Sequence, residues 1–284
     1  MTQAISTASQ SAQATQPIDS AKPWHCIQVT RDGDVEWLSL SRPDNFNALN
    51  LALTQELYDY FGSLPDRQDV RVVVMRGLGR HFCAGYDLED VEQLTVSLDQ
   101  GLRLQRQLSA VVLRMRRCPQ PIVGLLQGAA CGGGFALALG CDVRFAAPNA
   151  RMNVAMAKIG LTGCDMGISY FLPRAVGPAI AAELMYTGRF VNAERALRIG
   201  LVNDVVPEDK LADTAHELVQ EMLAMSPVGL RLTKDGLAMA QETSNLATVM
   251  ALEDRGQAMC FDAFMKEGVA AFREKRAPNY GASR

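Results

Sequence analysis

A glycine triplet between two apolar runs is the first feature of this sequence that could do chemistry. The segment 128–134 reads Gly-Ala-Ala-Cys-Gly-Gly-Gly, follows the apolar run 122–126 and precedes the apolar stretch 135–139. A strand that ends in glycines and opens a helix exposes backbone N–H groups, because no side chain shields them and the helix N-terminus adds partial positive charge. Such a turn can bind an anion or a developing oxyanion, although a glycine triplet alone also serves close packing.

A second turn of the same kind strengthens this interpretation. The segment 82–88 reads Phe-Cys-Ala-Gly-Tyr-Asp-Leu and follows the β-branched run 70–76. Two such turns can each donate one N–H group to a single carbonyl oxygen, which is the geometry that stabilises an enolate or a tetrahedral oxyanion. The sequence therefore predicts an oxyanion-binding site where two strands end.

Five stretches, in this order, make the chain similar to the crotonase family, also called the enoyl-CoA hydratase/isomerase family. They are Arg42-Pro-Asp-Asn-Phe-Asn-Ala-Leu49, Phe82-Cys-Ala-Gly-Tyr-Asp-Leu88, the run from Gly128 through Gly134 to Cys141-Asp142, Lys158-Ile-Gly-Leu161 with Leu172-Pro-Arg-Ala-Val-Gly177, and Ala271-Phe-Arg-Glu-Lys-Arg276. The resemblance covers roughly residues 24–280. It implies an α/β fold, a crotonase-like spiral of ββα turns, with a helical C-terminal part that builds a homotrimer, often paired into a hexamer.

The resemblance also implies an acyl-CoA substrate and assigns roles to residues of the first two turns. The backbone N–H groups of Tyr86 and Gly133 would form the oxyanion hole around the thioester carbonyl. Ala84, Asp87 and Leu88 would line the pocket on the adenine side of coenzyme A. No separate cofactor is expected, because coenzyme A enters as part of the substrate.

Two residues of the last matching stretch, Phe272 and Lys275, occupy positions where the family's C-terminal helix meets coenzyme A, often from a neighbouring subunit. Lys275 stands in the charged run 273–276, so a solvated surface charge is the simpler interpretation of this residue from sequence alone.

The chain departs from the family's hydratases at the two glutamates that place and activate water. Ala136 stands two residues after the glycine triplet, and Met156 falls near the second position. Neither side chain can move a proton. Ordinary hydration by the two-glutamate route is therefore not expected, although the oxyanion hole is predicted to be intact.

Asp165 is the leading candidate for a proton carrier. Counting back from Leu172-Pro173, it lands where the family's dienoyl-CoA isomerases carry a catalytic aspartate, whereas counting forward from Gly160-Leu161 puts it one residue out of register. A carboxylate in an apolar acyl pocket would have a raised pKa and could shuttle a proton. The alternative is that Asp165 caps a following helix that begins at Met166.

Other proton carriers have simpler structural interpretations. The phenol of Tyr86 more simply packs against neighbouring groups, and Cys164 has no histidine nearby in sequence. His81 is expected to be structural or exposed. Four acidic residues are interpreted as charges on solvated helix faces or at a helix N-terminus: Glu89, Asp90, Glu92 and Glu194.

Composition excludes several classes of function. The 284 residues carry a net charge of −3 and no basic stripe, so no nucleic-acid partner is expected. Seven scattered cysteines without ligand spacing indicate reduced core residues in a cytoplasmic protein and no structural metal. The uncharged stretch 118–141 is long enough for a membrane span, but its glycines, prolines and glutamines favour a buried strand–turn–helix, and no membrane partner is expected.

Hydrophobic periodicity divides the chain into three parts. Residues 1–22, rich in Ser, Thr, Gln and Ala, are predicted to be a disordered tail. Strand and helix patterns alternate through the predicted core, 23–200, and favour parallel β-α crossovers. Residues 201–284 are predicted to be mainly helical.

Together these features predict an acyl-CoA enzyme that stabilises a thioester enolate, with double-bond isomerisation as the leading reaction. Hydration with a non-standard acid or base, hydrolysis or C–C cleavage of the thioester, and acyl-CoA binding without catalysis remain open alternatives.

Overall fold

The computed structural model describes residues 16–17, 24–87, 90 and 97–283. Leu88, Glu89 and Glu92 lie outside the described residues, as does the predicted tail 1–22 apart from Gln16–Pro17, which pairs with Thr30 and Arg31.

The described residues contain ten strands in two sheets. The strands are β1 (Gln16–Pro17), β2 (Ile27–Asp32), β3 (Val35–Leu40), β4 (Val72–Gly77), β5 (Ile122–Leu126), β6 (Ala129–Cys131), β7 (Val143–Ala146), β8 (Arg151–Asn153), β9 (Val191–Asn192) and β10 (Asp204–Val205). The main sheet has the order β1-β2-β3-β4-β5-β7-β10, and it is parallel from β3 to β10. The small sheet has the order β6-β8-β9.

Ten α-helices belong to the same described part of the chain. They are α1 (Leu51–Ser63), α2 (Leu98–Arg117), α3 (Gly133–Gly140), α4 (Ile168–Val176), α5 (Pro178–Thr187), α6 (Ala193–Arg198), α7 (Leu211–Leu223), α8 (Pro227–Glu242), α9 (Leu246–Ala263) and α10 (Met265–Glu274). A membrane span would need a longer and more apolar helix than any found among the described residues.

Helices cover both faces of the main sheet. Successive side chains of a strand point to opposite faces, so Val73 and Met75 join the core beneath α1, α2 and α3, whereas Val72 and Val74 pack with α7 on the other face. Both faces are therefore buried, which explains why β4 and β5 read as continuous apolar runs rather than as alternating ones.

The sequence patterns and the structure agree for most elements and differ at one that matters for the site. The predicted strand–turn–helix at 118–141 is present as β5, β6 and α3. The helix expected to begin at Met166 begins at Ile168 instead, because Met166 has a left-handed backbone with φ of 43° and Gly167 is the N-cap. Asp165 is therefore not a cap of this helix.

Candidate functional site

A buried asparagine in the first matching motif fixes the entry to the first turn. The Oδ1 atom of Asn47 accepts from the Arg42 N–H at 2.8 Å, and its Nδ2 atom donates to the carbonyls of Leu78 at 2.9 Å and His81 at 2.8 Å. Asn47 is fully buried, and its φ of 54° is one that asparagine tolerates better than most residues. One side chain therefore ties the 42–49 segment to the chain that leads into residues 82–87.

The first turn runs beside Leu49 in a short parallel pairing. The Leu49 N–H donates to the carbonyl of Gly85 at 2.7 Å, and the Asp87 N–H donates to the carbonyl of Leu49 at 2.8 Å. In a parallel pairing of this kind, the residue between the two bonded neighbours directs its own N–H to the opposite side. The N–H of Tyr86 is therefore directed away from Leu49, towards the side on which the second turn lies.

The second turn lies on that opposite side. The Cys83 N–H donates to the carbonyl of Ala129, and the Cys131 N–H donates to the carbonyl of Cys83, both at 3.0 Å. A Cβ atom added to Gly85 would lie 3.0 Å from the carbonyl oxygen of Cys131, and one added to Gly132 would lie 3.8 Å from the Cα of Gly85. The two glycines adopt positive φ values of 112° and 52°, so the turns approach each other through backbone that favours glycine.

The glycine triplet opens helix α3, as its sequence predicts. Gly132 is the N-cap and Gly133 is the first helical residue, so the N–H of Gly133 is one of the helix's unpaired N-terminal donors. Neither this N–H nor that of Tyr86 has a hydrogen-bond acceptor among the described residues. Each donor directly follows one of the two glycines in close approach. The geometry thus has the parts of an oxyanion hole: two free N–H groups and the positive end of a helix dipole.

Close packing explains the third glycine of the triplet. A Cβ atom on Gly134 would overlap the carbonyl oxygen of Cys83, which is fixed in the pairing of the two turns. We expect Gly134→Ala to lower the free energy of unfolding by about 1–3 kcal/mol, as overpacking does, measured by urea denaturation.

Gly236→Ala is the matched control for this substitution. Gly236 lies within α8 and has no atom near its added Cβ position, so alanine there should be neutral or stabilise by up to about 1 kcal/mol. Equal effects of the two substitutions would contradict the packing role of Gly134.

The positions of the two missing glutamates are apolar and buried. Ala136 and Met156 are 0% and 6% exposed, and both belong to the main core. The Met156 Cε atom lies 4.0 Å from the Cβ position of Gly132, so this side chain faces the second turn. A further apolar contact comes from Met166, whose Sδ atom lies 3.4 Å from the Cβ position of Gly133. The side chains of Met156 and Met166 that face the second turn are thus apolar, and the resemblance to the family's hydratases places a glutamate near the position of Met156.

Asp165 directly precedes Met166 in the chain and is half-buried. Burial raises the pKa of its carboxyl group, while hydrogen bonds from Gln105 and from the Met166 N–H oppose the shift. The Gln105 side chain, on α2, donates from Nε2 to Asp165 Oδ1 across 60 residues of sequence. The carboxyl group is thus held from a second helix rather than used as a helix cap.

The other candidate proton carriers are engaged or exposed. Tyr86 packs its ring against the core, and its pKa is raised by burial and by Asp90 and Asp87, so its phenol stays protonated at neutral pH. Burial raises the pKa of Cys83 to about 12 and that of Cys131 to about 11, which makes both thiols poor nucleophiles. Cys164 is exposed, and Glu194 is an exposed partner of Arg198 at 3.7 Å.

The residues expected to contact coenzyme A fall into two places. Ala84 and Asp87 flank the oxyanion turn: the Ala84 N–H donates to the carbonyl of Phe46 at 3.0 Å, and the Asp87 carboxylate pairs with Arg42 at 3.1 Å. Phe272 and Lys275 lie at the end of α10, and both are exposed. Within this chain the Phe272 ring is 85% exposed, which is unusual for a side chain of this size.

His81 has a structural role just before the first turn. Its Nδ1 atom accepts from the Ala129 N–H at 3.1 Å, which is possible only when that nitrogen is unprotonated. Burial lowers the pKa of His81, and the nearby charges of Arg80 and Arg151 lower it further.

This lowered pKa predicts a pH dependence of stability. The unfolded chain binds a proton at this histidine near pH 6.5, before the folded chain does, so stability should be complete above about pH 6.5 and fall as the pH drops towards the folded pKa. Urea denaturation between pH 5 and 8 measures this, and His81→Gln should flatten that part of the profile. An unchanged profile in the variant would exclude His81 as the source.

Comparison with known proteins identifies the family of the chain. The family model for enoyl-CoA hydratase/isomerase matches residues 30–283. A probable enoyl-CoA hydratase of Mycobacterium tuberculosis is 37% identical over 253 residues, covering 86% of this chain and 88% of the relative. The 1,2-epoxyphenylacetyl-CoA isomerase of Escherichia coli is 35% identical over 246 residues, covering 86% of this chain and 93% of the relative.

A solved structure gives the same result for the fold. The crystal structure of a probable enoyl-CoA hydratase/isomerase from Mycobacterium abscessus superposes with a TM-score of 0.84 at 33% identity, covering 92% of this chain and all of that one. The predicted crotonase-like α/β fold is therefore confirmed, and the chain belongs to the enoyl-CoA hydratase/isomerase family.

Proposed function

We propose that this protein isomerises a carbon–carbon double bond in an unsaturated acyl-CoA through a thioester enolate. The observation that carries the proposal is the pair of donors: the N–H groups of Tyr86 and Gly133 each follow a glycine of two closely approaching turns, and they lack acceptors among the described residues. A thioester carbonyl oxygen placed between them would be stabilised most strongly when it bears the negative charge of an enolate.

Asp165 supplies the proton transfer in this scheme. As a carboxylate it removes a proton from the carbon between the thioester carbonyl and the double bond, and the electron pair is delocalised onto the carbonyl oxygen. As a carboxylic acid it then returns the proton to the far end of the former double bond, which restores the carboxylate and leaves the double bond one position closer to the thioester. Burial raises the pKa of the Asp165 carboxyl group, which makes the carboxylate a stronger base for the first step.

The apolar side chains of Ala136 and Met156 support isomerisation over hydration by the two-glutamate route. A single proton carrier moving one proton needs no second carboxylate, whereas activating water and protonating the product does. Hydration remains the second candidate, because the Mycobacterium tuberculosis relative is named as a probable hydratase. Thioester hydrolysis and acyl-CoA binding without catalysis are the further alternatives.

Gln105 should tune the acid–base group, since it donates a hydrogen bond to Asp165 and so favours the charged carboxylate. We expect Gln105→Ala to raise the pKa of Asp165 and to move the acidic limb of the pH profile of kcat/KM to higher pH. Gln107→Ala, on the same helix, is the control and should leave the limb in place. A limb that does not move in Gln105→Ala would show that this hydrogen bond has no influence on the proton carrier.

We also propose that coenzyme A lies along Ala84, Asp87 and Leu88 on one subunit and meets Phe272 and Lys275 of a neighbouring subunit. A homotrimer, or a hexamer made of two trimers, would satisfy this arrangement. It would also cover apolar side chains that are exposed on the last two helices: Leu246, Met250, Met259, Met265 and Phe272. Light scattering of the purified protein gives the number of chains.

Cytoplasmic localisation is proposed from the cysteines. All seven are free thiols in the structure, five of them buried, as suits a protein kept in a reducing compartment. Cell fractionation tests this directly.

The reaction is tested by incubating the protein with trans-2-, trans-3- and 3,5-dienoyl-CoA esters in heavy water and following the products by mass spectrometry. A shifted double bond with gained deuterium supports isomerisation. Addition of water to the 2-enoyl ester would establish hydration, and release of free coenzyme A would establish hydrolysis. Tight binding of the esters without any product would favour a non-catalytic binding protein.

A further inference from the structure

Three arginines line a cavity at the C-terminal ends of α2 and α3. This cavity is remote from the oxyanion turn, because Gly133 stands at the opposite end of α3. The cavity has a volume of about 160 Å³ and lies where α2 and α3 end, against α4 and α8. Its charged lining consists of Arg116, Arg144, Arg174 and a single carboxylate, Asp142. The remaining walls are largely apolar, with Leu139, Phe171 and Leu237 among them.

Asp142 is already shared among several donors. Its Oδ1 atom pairs with Arg116 at 3.0 Å, and its Oδ2 atom accepts from the Ile122 N–H at 2.8 Å and pairs with Lys234 at 3.1 Å. Lys234 is itself buried behind the cavity. The Asp142 carboxylate is therefore already paired with two cations, Arg116 and Lys234, and the charges of Arg144 and Arg174 come in addition to these.

Arg144 and Arg174 are held by neutral groups. Arg144 donates to the carbonyls of Leu201 at 2.8 Å and Cys141 at 2.6 Å. Arg174 donates to the carbonyl of Tyr170 at 2.8 Å and stacks on that ring, with its guanidinium carbon 3.7 Å from the ring centroid. Neither arginine pairs with a carboxylate of the described residues.

Positive charge is therefore in excess around the cavity. Burial lowers the pKa of Arg144; Cys141 and Asp142 oppose this shift, and Arg116 adds to it, which indicates that two like charges lie close together. The C-terminal carbonyls of α2 and α3 contribute only partial negative charge. The carbonyls that hold the two arginines orient them without neutralising them.

We propose that this cavity is a binding site for a small tetrahedral dianion of the phosphate type. Guanidinium groups match the oxygens of such an ion with paired N–H donors, and the charge-assisted hydrogen bonds that they form are stronger than neutral ones. The volume suits an ion of this size rather than a nucleotide.

The cavity lies where three helices that lead to the proposed site come to an end. Arg116 lies in the last turn of α2, which also carries Gln105, and Arg174 lies near the end of α4, which follows Asp165. The cavity also touches the end of α3, which begins at Gly133. Helix α3 has eight residues and is thus about 12 Å long. An ion bound here would contact residues of α2, α3 and α4. The earlier parts of these helices, or the residues just before them, include the oxyanion donor Gly133 and the proposed proton carrier Asp165 with its partner Gln105. Binding itself does not depend on which reaction the protein catalyses.

Titration calorimetry of the full chain with inorganic phosphate tests the site, with sodium chloride adjusted to hold the ionic strength constant. We expect one saturable phosphate per chain. Arg174→Gln should weaken binding at least tenfold, and Arg174→Lys should weaken it less, because the charge remains while the paired donors are lost. Arg103→Gln is the control: this exposed arginine on α2 pairs with Asp99 and should leave phosphate binding unchanged.

Separate arms of the experiment identify the source of the anion. Sulfate should compete with phosphate, ADP should not, and saturating butyryl-CoA should leave phosphate binding intact. Displacement of phosphate by butyryl-CoA would overturn the proposal, since the ion would then occupy the coenzyme A site. Heat that does not saturate, or equal affinity in Arg174→Gln and the unaltered protein, would overturn it too. The proposal would also be overturned if the unaltered protein bound no phosphate and Arg174→Gln changed the number of chains in the assembly. That result would assign the cavity to a carboxylate of a second copy of the chain.

Discussion

Replacing Gly133 by proline is expected to lower kcat/KM for the acyl-CoA substrate by about 10²–10³, the loss typical of one oxyanion donor. Proline has no backbone N–H, so the substitution removes the proposed donor itself. Gly133 is the first residue of α3, a position where proline is tolerated because that N–H has no partner within the helix. The fold should therefore survive while the rate falls, as measured by steady-state kinetics.

Gly133→Ala is the matched control for this substitution, because it adds a Cβ atom but keeps the N–H. The added atom would lie 2.8 Å from the Leu49 Cδ1 atom and 3.4 Å from the Met166 Sδ atom, both near the ends of side chains that can shift. The ratio of rates between the alanine and proline variants therefore separates the effect of the added Cβ atom from the effect of replacing the N–H by the proline ring. If the two variants are equally active, the Gly133 N–H is not an oxyanion donor.

The sequence predicted the parts of the site whose cause is local. A glycine triplet between an apolar strand and an apolar helix indicates a tight turn whatever surrounds it, and the triplet does open α3. Turns that follow strands pointed to the two segments in this way, and the resemblance to the crotonase family then assigned the donor roles to Tyr86 and Gly133. The alternating strands and helices likewise indicated a largely parallel sheet, and the main sheet is parallel from β3 to β10.

The groups that hold the turns in place were harder to predict, because their partners are distant in sequence. Asn47 stands in a recognisable motif, but nothing in the sequence shows that its side chain bonds Leu78 and His81 more than 30 residues away. Gln127 is similar: it follows β5 as an isolated polar residue, and its buried amide donates to the carbonyl of Gly77 at 2.6 Å. A lone amide among apolar residues was the available signal for Gln127, whereas Asn47 has Asp44, Asn45 and Asn50 as polar neighbours and gives no such signal.

Asp165 shows the limit of counting along the chain. Its register against neighbouring motifs was ambiguous, and the cap alternative depended on where the following helix begins. That helix begins at Ile168, because Met166 and Gly167 both adopt positive φ values of 43° and 86°. Methionine rarely adopts a left-handed backbone conformation, and nothing in the sequence around Met166 predicts that it does so here. Its consequence is that Met166 faces Gly133 and that Asp165 is held by Gln105 on α2.

Replacing Asp165 by asparagine is expected to reduce turnover by about 10²–10⁴, the contribution typical of a positioned acid–base group. Asparagine keeps the shape of the side chain and an oxygen that can accept from Gln105, but it cannot take up or return a proton. Affinity for the acyl-CoA should stay within a few-fold, because the carbonyl donors are untouched. Stopped-flow or steady-state assays measure turnover of the acyl-CoA ester that the unaltered protein isomerises, and calorimetry measures the affinity for that ester.

Stability separates this role from a structural one. The folded pKa of Asp165 is raised, so the stability linked to this group is complete below its unfolded pKa and is lost as the pH rises through the folded pKa. At neutral pH the uncharged asparagine should therefore leave the protein as stable as before or more stable, while activity falls. Glu194→Gln, which alters an exposed carboxylate on α6, should change neither property. Full turnover by Asp165→Asn would remove Asp165 from the mechanism, and loss of stability together with activity would make it a structural residue.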